Sequence, residues 1–372
     1  MKTIFFMKDV FMPAIKEIFT KNGYHVMEGN FHKDAPKADS IFSLRYEPEV
    51  AEYCFRQEKK YIVWTIDSPH TPLYHQSFYH ESNYIFLFDY DQYCTMLKRE
   101  APCHVYYLPL ATDVNGFEKV IQNAGNKIEH YRSDVSFLGR LYKDPAHSLF
   151  DKISYLPPYV EGYLNALMKI QHKMWGADIL RESISNQVWE KIKECVKLDV
   201  DGYNEDYYKE TIITMMYQKV AQQERMEMCS MLAKEFDFAL YTQDSTEFDF
   251  NIKNRGYVNY VKEMPLVFAG SKINVNITLR SISSGIPLRC LDIMACGGFL
   301  LTNYQAEIGE YFIDGEEVVI YNDFQDMQEK IRYYLCHEDE RKRIANQGKE
   351  KVAEGFSYER QIGKMLAVLE KA

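Results

Sequence analysis

The sequence lacks the short motifs that mark several common classes of enzyme. It contains no G-x-G-x-x-G, no P-loop and no G-x-S-x-G. The sequence therefore lacks the signatures of dehydrogenases, P-loop nucleotide hydrolases and serine hydrolases. Its eight cysteines are scattered and include no C-x-x-C pair, which argues against a disulfide framework or a zinc site. Unpaired thiols of this kind are typical of the reducing cytoplasm, where we expect the protein to reside.

Long apolar runs are also missing. No stretch of 18 apolar residues occurs, so no membrane-spanning helix is expected, although peripheral association with a membrane stays open. Lys2, Lys8, Asp9 and Pro13 interrupt the first apolar stretch, which therefore does not resemble a signal peptide. The net charge of -10 argues against a protein that follows a nucleic-acid backbone.

The 372 residues are enough for two domains, each with its own core. Short apolar runs alternate with helical patterns over residues 1–112, which predicts an N-terminal Rossmann-like domain with a parallel sheet. Residues 113–133 lose this pattern and are predicted to be a linker. Residues 134–356 resume it as a C-terminal domain, interrupted by a helical insertion over 145–235. A last helix, 357–372, is free to pack back on the first domain.

The prediction is therefore an α/β protein with two doubly wound, Rossmann-like domains that face each other across a cleft. The expected strands of the first domain are 3–7, 25–28, 40–45, 61–67, 84–89 and 105–109, and those of the second are 134–139, 238–241, 257–260, 272–277, 299–302 and 318–321. Ligands of such sheets bind beyond the carboxyl ends of the strands.

Residues 271–303 organise the second domain. They predict a buried strand, a loop rich in Ser and Arg, a helix that begins at Pro287 and ends at the Gly297-Gly298 pair, and a second strand. A helix N-terminus offers free N–H groups and partial positive charge, which favour phosphate. Arg289 and Asp292 lie three residues apart and therefore face the same way. A nucleotide-sugar site needs a cation that binds the diphosphate and a carboxylate that binds the ribose hydroxyls, and these two residues could supply them. On residue types alone, an ordinary βαβ unit with a solvated arginine is the favoured explanation of the segment.

Residues 272–321, KINVNITLRSISSGIPLRCLDIMACGGFLLTNYQAEIGEYFIDGEEVVIY, resemble the donor-binding half of the GT-B glycosyltransferases. Within them the pattern R-x-x-D-x-x-A-x-G is closest to the spore-maturation, CgeB-like branch of bacteria. The runs YIVWTIDSPHTPLY, YIFLFDYD and VYYLPLATD look like the accompanying N-terminal domain, and DVSFLGRLY resembles the first strand of the second domain. The resemblance implies that residues 1–112 form the acceptor domain and residues 134–356 the domain that binds the nucleotide sugar.

The resemblance implies roles for several residues in donor binding. Asp292 stands where many relatives bind the ribose hydroxyls through a Glu. Arg289, Ser284 and Gly285 fall where the diphosphate would meet the helix N-terminus. Retaining relatives place a Glu at the position of Ser284, so this departure weakens the case for a retaining mechanism.

Two further donor positions have ordinary structural alternatives. Gly139-Arg140 resembles a Gly-Arg pair that approaches phosphates in relatives, and a surface arginine explains Arg140 as well. Tyr260 is expected near the nucleobase, although a core tyrosine would give the same pattern.

Catalysis needs a group that accepts the proton of the acceptor hydroxyl. Asp67 ends a predicted strand at the cleft and is the first candidate, and His70 is the second. Asp67 is also typical of a turn that caps the following segment, and His70 of a structural histidine. No D-x-D motif stands at a strand end, and 249–251 is the nearest sequence, so we expect neither a metal nor another cofactor.

The sequence thus predicts a metal-independent glycosyltransferase. It would transfer a hexose or N-acetylhexosamine from a nucleoside-diphosphate sugar, with UDP as the expected nucleotide, to a glycan, lipid-linked or protein acceptor. The alternative is a catalytically inactive GT-B-like subunit that binds sugars or serves in assembly, which the Ser at position 284 and the Met- and Tyr-rich insertion motivate.

Overall fold

The computed structural model describes residues 2–9, 11–143, 150, 155–244 and 252–371 of the chain. It contains two six-stranded sheets in which every strand pairing is parallel. Each sheet carries helices between its strands, so the predicted pair of doubly wound α/β domains is confirmed.

The first sheet has the strand order β2-β1-β3-β4-β5-β6. Its four central strands are buried on both faces because helices cover the sheet, whereas the edge strands β2 and β6 are only partly buried. The elements are β1 Thr3–Phe6, α1 Met12–Lys21, β2 His25–Met27, α2 Phe31–Asp34, β3 Ser40–Ser43, α3 Pro48–Arg56, β4 Lys60–Trp64, β5 Asn83–Leu87, α4 Tyr90–Leu97, β6 His104–Tyr107 and α5 Val114–Gln122.

The second sheet has the order β12-β11-β10-β7-β8-β9, with its topological switch point between β7 and β10. Its elements are β7 Ser133–Leu138, α6 Pro158–Lys173, α7 Ile179–Ser183, α8 Asn186–Cys195, α9 Glu205–Glu235, β8 Phe238–Tyr241, β9 Lys253–Asn254, α10 Met264–Gly270, β10 Ser271–Asn276, α11 Leu288–Ala295, β11 Leu300–Asn303, α12 Ala306–Tyr311, β12 Val319–Tyr321, α13 Phe324–Cys336, α14 Glu338–Gly355 and α15 Tyr358–Leu369.

The segment that was predicted to be a linker contains a helix. Asp113 begins α5 by accepting a hydrogen bond from the Gly116 N–H at 2.9 Å, and Val114 and Phe117 bury one face of the helix. An N-cap of this kind satisfies one of the free N–H groups of the first turn. The glycine in the first turn hid this short amphipathic helix from the sequence pattern.

Residues 257–260 were predicted to be a strand and instead form a loop. The strand that pairs with β8 is β9, which ends before Gly256. Gly256 has a left-handed φ of 79°, and the Asn259 side chain then accepts from the N–H groups of Val261 and Lys262. Both features turn the chain away from the sheet.

The insertion is helical where the structure describes it, in α6 to α9. The first half of α9 packs with α6 to α8, and Met228 and Leu232 in its second half cover the second sheet. The insertion also contacts the first domain, because the Gln76 N–H donates to the Gly202 carbonyl at 2.7 Å. It therefore joins both domains. None of the helices in the described ranges combines the length and apolar character needed to cross a lipid bilayer.

The two domains share one hydrophobic core. Trp64 of β4 and Leu108 after β6 belong to the same buried cluster as Ile286 and Leu291 of the second domain. Helix α15 returns to the first domain and packs against α1, with the Tyr358 ring 6.3 Å from the Trp64 ring. The cleft in which ligands were expected therefore lies between two domains that are in direct contact.

Candidate functional site

The segment 271–303 adopts the predicted strand, loop, helix and strand. Pro287 is the residue before the helix, with φ -67° and ψ 145°, so α11 begins one residue later than expected. Gly297 ends the helix in the predicted left-handed conformation, with φ 70°. The N-terminus of α11 thus lies next to the carboxyl ends of the strands around the switch point, where ligands of such sheets bind.

A cavity of about 250 Å³ lies at this position, and we call it the α11 cavity. It opens at the carboxyl ends of β7 and β8 and beside the first turn of α11. Its lining includes Gly139, Arg140, Tyr257, Tyr260 and Arg289. The structure therefore brings together four residues that the sequence suggested for donor binding, from three separate parts of the chain. Tyr257, an exposed ring, was not predicted.

Arg289 is partly buried and lacks a carboxylate partner. Its guanidinium donates to the Met264 sulfur at 3.1 Å and lies 5.4 Å from the centre of the Phe268 ring. Burial lowers the pKa of Arg289, while the charge of nearby Asp292 acts in the opposite direction. Within the described ranges, neither Arg289 nor Arg140 forms an ion pair, and no acid lines the cavity. An unpaired, partly desolvated cation such as Arg289 favours an anionic ligand, and the exposed Arg140 adds positive charge to the same lining.

Asp292 is 1% exposed, and its carboxylate accepts hydrogen bonds from two hydroxyl groups. Its Oδ1 accepts from Thr112 Oγ1 at 2.8 Å and from Tyr260 Oη at 2.9 Å. Burial raises the pKa of Asp292 to about 6, against the opposing effects of Arg289 and of these hydrogen bonds. In this conformation Asp292 joins the two domains and holds the Tyr260 ring at the cavity wall. Its contact with a ribose stays a prediction.

Tyr260 combines the two roles that the sequence left open. Its ring packs edge-on against Phe11 and Phe117, with centres 4.8 and 5.8 Å apart, as a core side chain would. The same residue lines the α11 cavity. Burial raises its pKa, so the hydroxyl stays protonated and donates to Asp292.

Ser284 and Gly285 do not line the α11 cavity and instead lie at the junction between the domains. Asp89, after β5, accepts from the Ser283 N–H at 2.9 Å and from the Ser284 N–H at 3.3 Å. A Cβ on Gly285 would lie 2.9 Å from the Phe88 ring. The Ser284 N–H, which was expected near a diphosphate, thus donates to a carboxylate of this chain in this conformation. Contact of Ser284 and Gly285 with a diphosphate stays a prediction.

The Ser284 hydroxyl is part of the same junction. It lies 2.9 Å from Asp89 Oδ1 and 2.9 Å from Glu307 Oε1, and Glu307 also accepts from Tyr107 Oη at 2.7 Å. Burial raises the pKa of Glu307, while these hydrogen bonds lower it. Asp89 and Glu307 were not predicted as partners, because only the fold brings them together across about 200 residues of sequence.

The two proposed bases have different environments. The Asp67 side chain is 58% exposed, and its nearest charged partner is Arg45, with Arg45 Nε 3.7 Å from Asp67 Oδ2. His70 is 5% exposed, and its Nε2 accepts from the Tyr46 N–H at 2.9 Å. Burial lowers the pKa of His70. In this conformation His70 is a structural histidine rather than an accessible base, whereas Asp67 is accessible but does not line the α11 cavity.

A buried charged layer behind the site was missed by the sequence analysis. Arg225 donates to the carbonyls of Arg140 and Ile277, with the second distance 2.9 Å, and so fixes the ends of β7 and β10. Glu224 accepts from Arg280 Nε and Nη2 at 2.9 and 2.6 Å. A signal was present, because Glu224 and Arg225 interrupt the apolar stripe of α9.

No group of three or more His, Cys, Asp or Glu side chains suited to a metal ion occurs in the described part of the chain. The near-match to D-x-D at 249–251 lies outside the described residues. The expectation of metal-independent chemistry therefore stays a prediction.

Two doubly wound domains that meet at the carboxyl ends of their parallel strands define the GT-B class of fold, and solved structures support this. HepE of Anabaena, crystallised with UDP and glucose, matches with a TM-score of 0.53 and 9% identity over 100% of both chains. The HepE complex with UDP-glucose matches with a TM-score of 0.52 and 10% identity over 100% of both chains. Sucrose-phosphate synthase from Thermosynechococcus elongatus matches with 0.51 and 10% identity, again over 100% of both chains.

Residues 223–367 match the model of a family described as glycosyl transferase-like. The matched segment contains α11 and the loop at 256–260, and thus much of the α11 cavity. No protein of curated function matches the sequence. The second domain therefore contains a glycosyl transferase-like segment within a GT-B fold, as the resemblance implied.

Proposed function

We propose that the protein is a glycosyltransferase that uses a UDP-sugar, with hexose or N-acetylhexosamine as the transferred group. The observation that carries the proposal is the α11 cavity, where two arginines without carboxylate partners lie beside a helix N-terminus. The similarity to HepE, which was crystallised with UDP-glucose, favours UDP as the nucleotide. Membership of the CgeB-like branch and a cytoplasmic location are part of the same proposal.

The donor would occupy the α11 cavity through its nucleotide. Arg289 and Arg140 would neutralise the diphosphate, and the exposed Tyr257 ring would stack on the nucleobase. Asp292 would reach the ribose only after exchanging one of its two hydroxyl partners. The arginines supply the positive charge that a metal provides in other transferases, so the proposed reaction needs no metal.

In the transfer itself, an oxygen of an acceptor hydroxyl forms a bond to the anomeric carbon of the sugar. The bond from that carbon to the diphosphate oxygen breaks, and UDP leaves with the electron pair. The hydroxyl proton passes to a base, for which Asp67 is the accessible candidate, or to water. The positive charge of Arg289 would stabilise the developing charge on the leaving diphosphate.

Isothermal titration of the full-length protein with UDP, GDP, ADP and dTDP tests the donor site. We expect UDP to bind most tightly, with EDTA leaving its affinity unchanged. A panel of UDP-sugars incubated without acceptor then tests the chemistry, since a transferase hydrolyses its donor slowly. If none of the four nucleotides binds, the proposal is overturned. If binding or hydrolysis requires a divalent metal, only the metal-independent form of the proposal is overturned.

The alternative, a sugar-binding or assembly subunit without activity, is favoured by one observation. Position 284 carries no acid, and the N–H groups of Ser283 and Ser284 in this loop already donate to Asp89. This alternative predicts nucleotide binding without any hydrolysis of UDP-sugars, so the same panel separates the two functions.

A further inference from the structure

A second and larger cavity lies on the other side of the loop that precedes α11. It has a volume of about 560 Å³ and is enclosed by three parts of the chain, so we call it the three-part cavity. Ser68 and Gln92 belong to the first domain, Glu210 to the insertion, and Ser283 and Asn303 to the second domain. Its position next to the donor side of the fold suits a second substrate.

Both cations of the three-part cavity are already neutralised. Arg181 forms two bonds with Glu210, Nε to Oε1 at 3.1 Å and Nη2 to Oε2 at 2.8 Å, and also pairs with Asp178. Arg280 is held by Glu224, which is fully buried, and its guanidinium lies 4.1 Å from the centre of the Trp175 ring. Neither guanidinium is left to compensate a phosphate or carboxylate of a ligand.

The remaining charges of this cavity are negative. Asp91 and Glu182 also line it, and neither forms an ion pair within the described ranges of the chain. The charge of the lining thus has the opposite sign from that of the α11 cavity. An anionic ligand would be repelled here, whereas an uncharged or cationic ligand would not.

Gln92 supplies the observation that points to a polar ligand. It is 6% exposed, and neither its amide nitrogen nor its amide oxygen has a hydrogen-bond partner in the described part of the chain. A buried amide without partners is costly, and Gln92 lines the cavity, so rotation of its side chain toward the cavity would let a ligand that both donates and accepts satisfy the two atoms. Two neighbouring hydroxyls of a sugar form such a pair. Tyr304, which is 50% exposed, adds an aromatic wall on which a pyranose ring can lie.

We propose that the three-part cavity binds an uncharged saccharide, held by Gln92, as the acceptor of the transfer, and that it discriminates against acceptors presenting phosphate or carboxylate there. The proposal rests on the proposed function and narrows its acceptor class. It also gives the insertion a role, because Glu210 and Asp178 of the insertion neutralise Arg181 and thereby remove the positive charge from that wall.

The test uses saturation-transfer NMR on the full-length protein with saturating UDP. The ligands are cellobiose, maltose, lactose and N,N′-diacetylchitobiose, compared with glucose 6-phosphate and glucuronic acid. We expect at least one neutral disaccharide to bind at millimolar concentration and both anionic sugars to bind at least about tenfold more weakly. Equal or stronger binding of the anionic sugars, or no binding of any neutral one, would overturn the proposal.

Two variants locate the binding. Gln92→Met keeps the side-chain length and removes the amide, and we expect at least about a tenfold loss of disaccharide affinity with the UDP affinity unchanged. The matched control is Gln325→Met on the exposed face of α13, which should change neither affinity. Unchanged disaccharide affinity in a folded Gln92→Met protein would contradict the proposal.

Glu182→Lys provides a test that does not depend on the buried position. Glu182 is exposed at the rim, so the substitution should be tolerated, and the new cation should raise the affinity for glucuronic acid severalfold. No gain would contradict the assigned charge preference. If saccharides fail to bind while UDP binds, only this inference fails, whereas failure of UDP to bind removes the proposed donor site.

Discussion

The two cavities beside α11 contain the same number of arginines and differ in what those arginines contact. In the α11 cavity, Arg140 and Arg289 lack acidic partners within the described ranges, and no acid contributes to the lining. In the three-part cavity, Arg181 and Arg280 are each bound by buried or half-buried carboxylates. An arginine in a sequence therefore does not by itself indicate an anion site, because only its partners decide whether its charge is available.

The largest expected effect comes from removing the carboxylate of a paired arginine. Glu224→Gln leaves Arg280 in a buried position without a counter-charge, so we expect a loss of roughly 3–5 kcal/mol in the free energy of unfolding, measured with urea. The control is Glu235→Gln at the end of the same helix, where the pair with Arg332 is exposed and the loss should be under about 1 kcal/mol. Equal effects of the two substitutions would mean that the buried pair of Arg280 with Glu224 matters no more to the fold than an exposed pair.

The next effect concerns the unpaired arginine. Arg289→Met should leave the free energy of unfolding nearly unchanged and weaken UDP binding by about 1.5–3 kcal/mol, or roughly 10- to 150-fold, because charge-assisted bonds to the diphosphate are lost. Titration calorimetry measures the affinity, with exposed Arg343→Met as the control. Strong destabilisation without a change in affinity would mean that Arg289 is structural.

A pH titration sharpens the account of the α11 cavity. The pKa of Asp292 rises from its ordinary 3.8 to about 6 in the folded protein. The neutral carboxyl therefore stabilises the fold below pH 4, and this contribution is lost as the pH rises through 6. The stability of the wild type minus that of Asp292→Asn should fall by roughly 2–3 kcal/mol between pH 4 and 7 in urea unfolding. A difference that is constant or increases with pH would contradict the burial of Asp292.

The smallest expected effect is at the junction between the domains. Gly285→Ala places a methyl group 2.9 Å from the Phe88 ring, so we expect a loss of roughly 1–2 kcal/mol in the free energy of unfolding. The control is Gly363→Ala in α15, where a Cβ meets nothing within 4 Å and the better helix former should stabilise. If Gly285→Ala is as well tolerated as the control, the domains are not in contact there in solution.

The sequence predicted the elements that have strong local patterns. Strand and helix alternation gave both sheets, and the Gly297 signal gave the end of α11. The loop at 257–260 was misassigned because its apolar residues resemble a strand, while Gly256 and the Asn259 turn determine the backbone. The helix α5 was missed because it is short and its first turn contains Gly116.

The candidate site was predictable only where its residues come from one motif. Arg289 was predicted because a helix N-terminus has a local signal, and Gly139-Arg140 because the segment resembles a family motif; both line the α11 cavity. The partners that decide whether a polar group is free to bind a ligand were not predicted. The contacts of Asp89 with Ser283 and of Thr112 with Asp292 join residues about 190 and 180 positions apart. Contacts of this range depend on how the two domains meet, which no local pattern records.

The central claim is that the nucleotide binds where arginines are free of carboxylates and not where they are paired. A crystal structure of the full-length protein with UDP tests it most directly. We predict density for the diphosphate within hydrogen-bond distance of the Arg289 guanidinium, with uracil against the Tyr257 ring. Density for UDP in the three-part cavity beside Arg280, with the α11 cavity empty, would contradict the claim.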